Sequence, residues 1–252
     1  MSTAGKRTFA FLFLCAFLLT LLFTAPASLL DSYVRHATQD RIVLANASGT
    51  VWQGAAIPAV RRPQGQLVAL QTLHWQLAVW PLFSGKIRLH LQWDELPPSS
   101  ATDVIIAYQQ IEFQHLFVPL PAKLLSEAST LLKPLEFRGQ MQIQAEHLTV
   151  SKRGIEGAAV VDWQQAGSAL SSIDPLGNYR LALNGAGERV NIMLSTTSGA
   201  LLLQGQGGWS AARGLDFHGN ARASPGSENR LTELLHHLGP EESPGVHGIN
   251  LM

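Results

Sequence analysis

Lys86-Ile87-Arg88-Leu89-His90-Leu91-Gln92-Trp93 alternates polar and apolar residues without a break. Successive side chains of a strand point to opposite faces, so this pattern reads as a strand with one apolar and one polar face. The same period recurs in Gln140–Ala145, Tyr179–Asn184, Val190–Leu194 and around Leu215 and Phe217. Gly199–Trp209 is a further strand, in which Gly205, Gly207 and Gly208 are expected to weaken pairing or mark a bulge. Ser84-Gly85, Gly154, Gly177-Asn178, Gly185-Ala186-Gly187 and Ser198-Gly199 supply residues that tolerate the positive φ of tight turns. Short connections of this kind predict a mainly β chain built as an antiparallel, curved meander.

Two helical patterns interrupt it. Pro121–Lys133 puts Leu124, Leu125, Ala128, Leu131 and Leu132 on one stripe and is expected to separate two sheet-forming halves, 40–120 and 135–225. Asn229–Leu238 carries Leu231, Leu234, Leu235 and Leu238, with Asn229 as the expected N-cap and Gly239-Pro240 as the stop. Residues 240–252 read as a disordered tail. A weak internal repeat pairs Leu73-His74-Trp75-Gln76 with Val161-Asp162-Trp163-Gln164, consistent with a duplicated sheet unit.

Ahead of the sheet lies a different kind of sequence. Phe9–Leu30 contains no charge and follows Lys6 and Arg7. A run of that length can cross the ~30 Å hydrocarbon core of a bilayer as one helix. The two cations orient it with the N-terminus in the cytoplasm. The expected organisation is therefore an anchor over 1–30, an exported β-rich domain over 31–239 and the tail. A cleaved signal peptide is the competing reading, with Ala25-Pro26-Ala27 as the cleavage site. The retained anchor is preferred because the apolar run continues through Leu29 and Leu30.

Composition excludes several functions. The 252 residues carry 18 basic and 18 acidic side chains, which leaves no basic footprint for nucleic acid. One Cys excludes a disulfide framework. The nine His are scattered, and His236-His237 diverge on a helix, so no metal ligands are assigned. Asp94-Glu95 and Glu241-Glu242 are adjacent and point apart on an extended chain, so neither serves as an acid/base pair. No nucleophile elbow, phosphate loop or dinucleotide loop is present. No catalytic, cofactor-binding or metal residue is assigned, and the chain does not read as an enzyme. The six Trp read as core anchors, with a partner surface or hydrophobic trough as the alternative and strand addition at the sheet edges as one mode of docking. Gly49, Trp52 and Gly54 are expected to hold the first turn, with Trp52 packed beneath it.

Ala47-Ser48-Gly49-Thr50-Val51-Trp52-Gln53-Gly54, after a cationic start and one apolar span, resembles the type II secretion system protein N family. Leu73–Leu77 with Pro81–Gly85, Gly177–Leu181, Ser198–Gly207 and Leu231–Gly239 continue the resemblance in order. It implies an accessory inner-membrane component of the Gram-negative machinery that moves folded proteins across the outer membrane. The location implied is the inner membrane, single-pass, with the bulk periplasmic. The implied partners are other inner-membrane or periplasmic subunits of that system, with no cofactor and no catalytic residues to carry over. The alternative reading of the same sheet is a lipid-handling groove lined by its apolar face.

Overall fold

The computed structural model describes residues 23–62, 65–128 and 133–251, together with Phe13, Ala16, Phe17, Thr20 and Leu21. Fifteen strands join in one antiparallel sheet whose two ends are not bonded to each other. They are β1 (Ile42–Gly49), β2 (Gln53–Arg61), β3 (Leu67–Ala69), β4 (Leu73–Ala78), β5 (Ile87–Trp93), β6 (Thr102–Ala107), β7 (Gln110–Pro121) and β8 (Arg138–Ser151). There follow β9 (Gly154–Gly167), β10 (Gly177–Gly187), β11 (Arg189–Gly199), β12 (Leu201–Ser210), β13 (Gly214–Ala223), β14 (Glu241–Ser243) and β15 (Val246–Leu251). Three α-helices of the described residues, α1 (Ser28–Ala37), α2 (Lys123–Ala128) and α3 (Glu228–Leu238), flank it.

The order along the sheet is nearly the order along the chain, as short connections require. The exceptions are at the margins: β3 pairs β2 off the main path, and β15 lies between β13 and β14.

Register carries the alternation of each strand across the whole sheet. Trp75 faces Leu91, Leu89 faces Val104, Val104 faces Phe113, and Phe113 faces Leu148. Farther on, Ile143 faces Val161, Val161 faces Leu181, and Leu181 faces Leu194. One face is therefore apolar from β4 to β13. The other carries the polar partners, such as His90 opposite Asp103 and Asp162 opposite Arg180.

On the apolar face α3 covers one end of the strands, and the start of α1 covers part of the other beside the β1–β2 turn. The three leucines Leu231, Leu234 and Leu235 of α3 pack with Tyr179, Leu201 and Ala221 of β10, β12 and β13. Ala27 and Leu30, at the start of α1, pack with Ala56, Trp75 and Leu91. Elsewhere at that other end Ile87, Ile106, Ile111, Trp209 and Leu215 are exposed.

Several expectations change. The expected span Phe9–Leu30 falls partly outside the described residues, and no helix among the described residues is long and apolar enough to cross a membrane. At its far end the run is not one helix through Leu30. Thr24 still donates to the Thr20 carbonyl, but Pro26 bridges to Thr50 and a new helix begins at Ser28. Proline has no N–H to continue the first helix.

The helix expected over Pro121–Lys133 begins at Lys123, because Pro121 still pairs with Gln140 at the end of β7; residues 129–132 lie outside the description. It does not separate two sheets, since β7 pairs β8 from Gln110 opposite Ser151 to Pro121 opposite Gln140. The second helix starts one residue earlier than expected, so Asn229 lies inside it and Ser227 holds the cap position.

The tail expected to be disordered instead forms β14 and β15. His247, Ile249 and Leu251 stand opposite Ala221, Gly219 and Phe217 and continue the apolar row by one more strand. The glycines of β12 mark no bulge, since its pairing with β11 and β13 is uninterrupted. They make room: a Cβ on Gly205 would lie 2.5 Å from the Phe217 ring.

Candidate functional site

The turn between β1 and β2 joins the apolar N-terminal segment to the sheet. Ala27 N–H donates to the Gly49 carbonyl at 3.1 Å, and Val51 N–H donates to the Ala25 carbonyl at 2.9 Å. The Phe23 ring lies 5.9 Å from that of Trp52. Gly49 has φ +86°, and a Cβ there would meet the Gln53 carbonyl oxygen at 2.5 Å. Gly54 is needed for close approach, since its Cβ would meet the Ser48 carbonyl oxygen at 2.3 Å and the Trp75 ring at 2.6 Å.

Trp75, not Trp52, packs beneath this turn. Trp75 is 6 % exposed, and its indole N–H lies 3.2 Å from both the Thr50 and the Val51 carbonyls. Trp52 is half-buried and faces Phe23 instead. The remaining tryptophans divide: Trp93 is buried, Trp163 half-buried, Trp209 exposed at the rim, and Trp80 85 % exposed. The uniform core role does not hold.

The two segments of the weak repeat do behave alike. The Trp163 indole donates to the Arg138 carbonyl at 2.9 Å, across the same sequence separation of 25 residues as Trp75 to Thr50. In each case a tryptophan donates to a backbone carbonyl of a more N-terminal segment.

Strand edges are where one sheet recruits another chain's strand. At the two ends of the sheet they are covered, or short and charged. Residues 25–27 pair along the end of β1, and the Asp31 carboxylate of α1 accepts the Leu44 N–H at 2.8 Å farther along it. The opposite edge is β14, three exposed residues including two glutamates.

An interior edge arises where β6 ends short of β7. There Phe117 N–H donates to the Thr102 hydroxyl at 3.0 Å, and the Trp93 indole donates to the Phe117 carbonyl at 2.8 Å. Phe117 thus turns its backbone groups away from β8. By the two-residue period Pro119 and Pro121 face the same way, and neither has an N–H to offer. These edges do not support the strand addition expected for partner docking.

The polar face carries cross-strand polar pairs. Arg180 places Nε 2.7 Å and Nη2 3.2 Å from the two Asp162 oxygens, and this pairing raises the guanidinium pKa further. His90 lies 2.9 Å from Asp103, and His74 lies 3.3 Å from Asp94. His218 bridges Asn250 at 2.8 Å and Asp216 at 3.0 Å, and the Asn250 bond holds its pKa above the ordinary value. The Tyr179 hydroxyl, on the apolar face, has its pKa pushed up by burial and donates to the Leu201 carbonyl.

Depressions on the polar face are shallow. One of about 540 Å³ is lined by Ser195, Gln204, Gln206, His218, Asn220 and Glu242. Another of about 420 Å³ lies beside Asp162 and Arg180. Among the described residues no three His, Cys, Asp or Glu side chains are grouped to hold a metal ion. The geometry on view is one polar face, one half-covered apolar face and a covered β1 edge.

Comparison with known proteins matches residues 40–250 to the family model for type II secretion system (T2SS), protein N. The chain belongs to the type II secretion system protein N family. It is 28 % identical over 250 residues to type II secretion system protein N of Klebsiella pneumoniae, covering 96 % of this chain and 93 % of that protein. It is 24 % identical over 232 residues to type II secretion system protein N of Pectobacterium carotovorum subsp. carotovorum, covering 90 % and 88 %. No solved structure matches.

The protein N match runs from just before β1 to the end of β15, so the closing hairpin belongs to the family domain. The chain is a component of type II secretion, which does not favour the lipid-handling alternative. Sequence alone assigns no residue to a site. What it missed is the junction of Phe23–Asp31 with β1, whose only signal was the proline at position 26.

Proposed function

We propose that this protein is an accessory component of type II secretion, held in the inner membrane by its N-terminal segment, with the sheet in the periplasm. It works through protein–protein contacts and performs no catalysis. The junction at Ala25–Ala27 carries this reading. A domain spliced to its apolar segment by backbone hydrogen bonds, with no flexible linker, is held at a fixed height above the membrane.

Edges that are covered, or short and charged, direct the partners to the faces. The polar face from β8 to β13 offers paired charges such as Arg180–Asp162 and the shallow depressions beside them. Rigid groups of this kind give register and specificity more than affinity. By geometry alone, the half-covered apolar face suits a lipid chain as well as a protein segment. Family membership supports a part in secretion, and with it contacts to other secretion subunits.

Deleting the gene in its host, and assaying hydrolases in the medium together with the abundance of the other secretion subunits, tests the role. The reading predicts reduced secretion or loss of at least one subunit, restored by the intact gene. Normal secretion with every subunit at its usual level would contradict it.

A further inference from the structure

The two ends of the strands differ in chemistry. Antiparallel order places the connections after β1, β4, β6, β8, β10 and β12 at one end, the end that receives the N-terminal segment. Leu77 N–H donates to the Trp52 carbonyl at 2.7 Å, so β4 leaves the sheet beside the Phe23–Trp52 contact. The charged residues of these six connections are Lys86, Lys152, Arg153 and Arg213 against Glu188. The connections after β2, β5, β7, β9, β11 and β13, at the far end, carry Asp94, Glu95, Glu127, Glu136, Asp174, Glu228 and Glu233 against Arg62, Lys123, Lys133 and Arg230.

Aromatic residues follow the same division. Trp80, 85 % exposed, opens the 3₁₀ turn Trp80–Ser84, and Tyr108, 88 % exposed, sits at the tip of the β6–β7 hairpin. Both belong to the basic end. The exposed apolar rim of Ile87, Ile106 and Ile111 lies there too, while α3 covers the apolar face toward the other end. Tryptophan and tyrosine favour the headgroup level of a bilayer, and basic side chains near an anionic surface add about 1 kcal/mol each.

We propose that this end of the sheet, with Trp80 and Tyr108 as interfacial anchors and Lys86, Lys152, Arg153 and Arg213 as headgroup contacts, docks on the anionic phospholipid surface of the membrane that holds the N-terminal segment. The inference rests on the anchored reading above. The occupant follows from continuity with that segment and from charge complementarity. The sheet then stands on its hairpins, presents its polar face sideways to partner subunits, and turns its acidic end away from the lipid.

The test uses the full chain in vesicles of phosphatidylethanolamine and phosphatidylglycerol containing a nitroxide lipid labelled just below the headgroups. One sample carries a fluorophore on native Cys15. Two others, built on Cys15→Ser, carry it on Ala212→Cys at the basic end or Ser99→Cys at the acidic end. Docking predicts strong quenching at position 212 and none at 99. Lys152→Gln, Arg153→Gln and Arg213→Gln should each lower the docked-to-undocked ratio by about fivefold.

Equal quenching at 212 and 99, with Cys15 shielded in lipid, overturns the docking and leaves the anchor standing. Quenching at 212 with Cys15 open to an aqueous quencher supports the surface and overturns the anchor. Quenching at 212 that the three substitutions leave unchanged overturns the headgroup contacts. Loss of quenching at 212 on adding the other secretion subunits would assign the basic end to a protein partner and overturn the lipid proposal.

Discussion

Asp31 accepts the Leu44 backbone N–H at 2.8 Å through one carboxylate oxygen and the Arg35 Nε–H at 2.8 Å through the other. A side chain on a helix thereby satisfies the edge of a sheet. It does so near the point where the chain leaves its apolar segment, so the same residue fixes α1 and closes β1 to other strands.

Asp31→Ala should destabilise the domain by about 1–3 kcal/mol, because it leaves a partly shielded N–H without its acceptor. It should also release the β1 edge for self-association. Urea unfolding reads the first effect and sedimentation velocity the second. A variant as stable and as monomeric as the parent would show that Asp31 guards nothing.

Trp75 and Trp52 should separate in a mutational series. Trp75→Ala removes a buried ring and should cost about 3–5 kcal/mol. Trp75→Phe keeps most of the packing but removes the donor to Thr50 and Val51, at about 1–3 kcal/mol. Trp52→Ala should cost clearly less than Trp75→Ala, because Trp52 is half-buried. Equal shifts in denaturation midpoint for the two alanine variants would restore Trp52 as the support of the first turn.

Pro119→Val and Pro121→Val place an N–H on the interior edge where β6 stops. The folded state should keep its stability within about 1.5 kcal/mol, as volume-conserving apolar swaps usually do, since both positions are half-buried. The double variant should nonetheless associate at concentrations where the parent is monomeric, through an edge that now offers donors. Light scattering over a concentration series decides between that outcome and an unchanged monomer.

His218 makes the β13–β15 pairing depend on pH. Its protonated ring can donate to Asn250 from Nδ1 and to Asp216 from Nε2, so folding raises its pKa above the ordinary value near 6.5. A raised folded pKa gives a contribution that is complete below the unfolded value and is lost as pH rises through the folded one. Hydrogen exchange at Ile249 and Asn250, corrected for intrinsic rates, should show weaker protection at pH 8 than at pH 6. His218→Gln should flatten that difference. Stronger protection at pH 8, or an unchanged slope in the variant, would reverse the sign or remove the cause.

Much of the sheet was legible because the period-two signal is local. Ile87–Trp93 and Tyr179–Asn184 need no knowledge of their partners to be read as strands, and short turns fix who those partners are. The closing hairpin was hidden because its apolar row, His247, Ile249 and Leu251, is short and surrounded by Gly, Pro and Glu. Its stability comes from β13 alongside it and α3 packed beside Ile249, neither of which is local.

The division of the six tryptophans was not legible either. Trp75 and Trp80 stand five residues apart with the same side chain, and only the fold places one on β4 under a turn and the other on the exposed 3₁₀ turn beyond it. The junction at Pro26 depends on a pairing to Thr50 that no periodicity announces. For the candidate site, the alternation foretold an apolar and a polar face but could not show that the edges were covered, or short and charged.

The most direct test of the central claim, that this chain serves type II secretion by face-on contacts, is site-specific photocrosslinking in intact secreting cells. A photoreactive residue would replace Gln142 or Asn178 on the polar face in one set of strains, and Ala45 on β1 or Ser243 on β14 in another. The account predicts adducts with another secretion subunit from positions 142 or 178 and none from 45 or 243. Adducts confined to the edge positions, or no adduct from the polar face in cells that secrete normally, would contradict it.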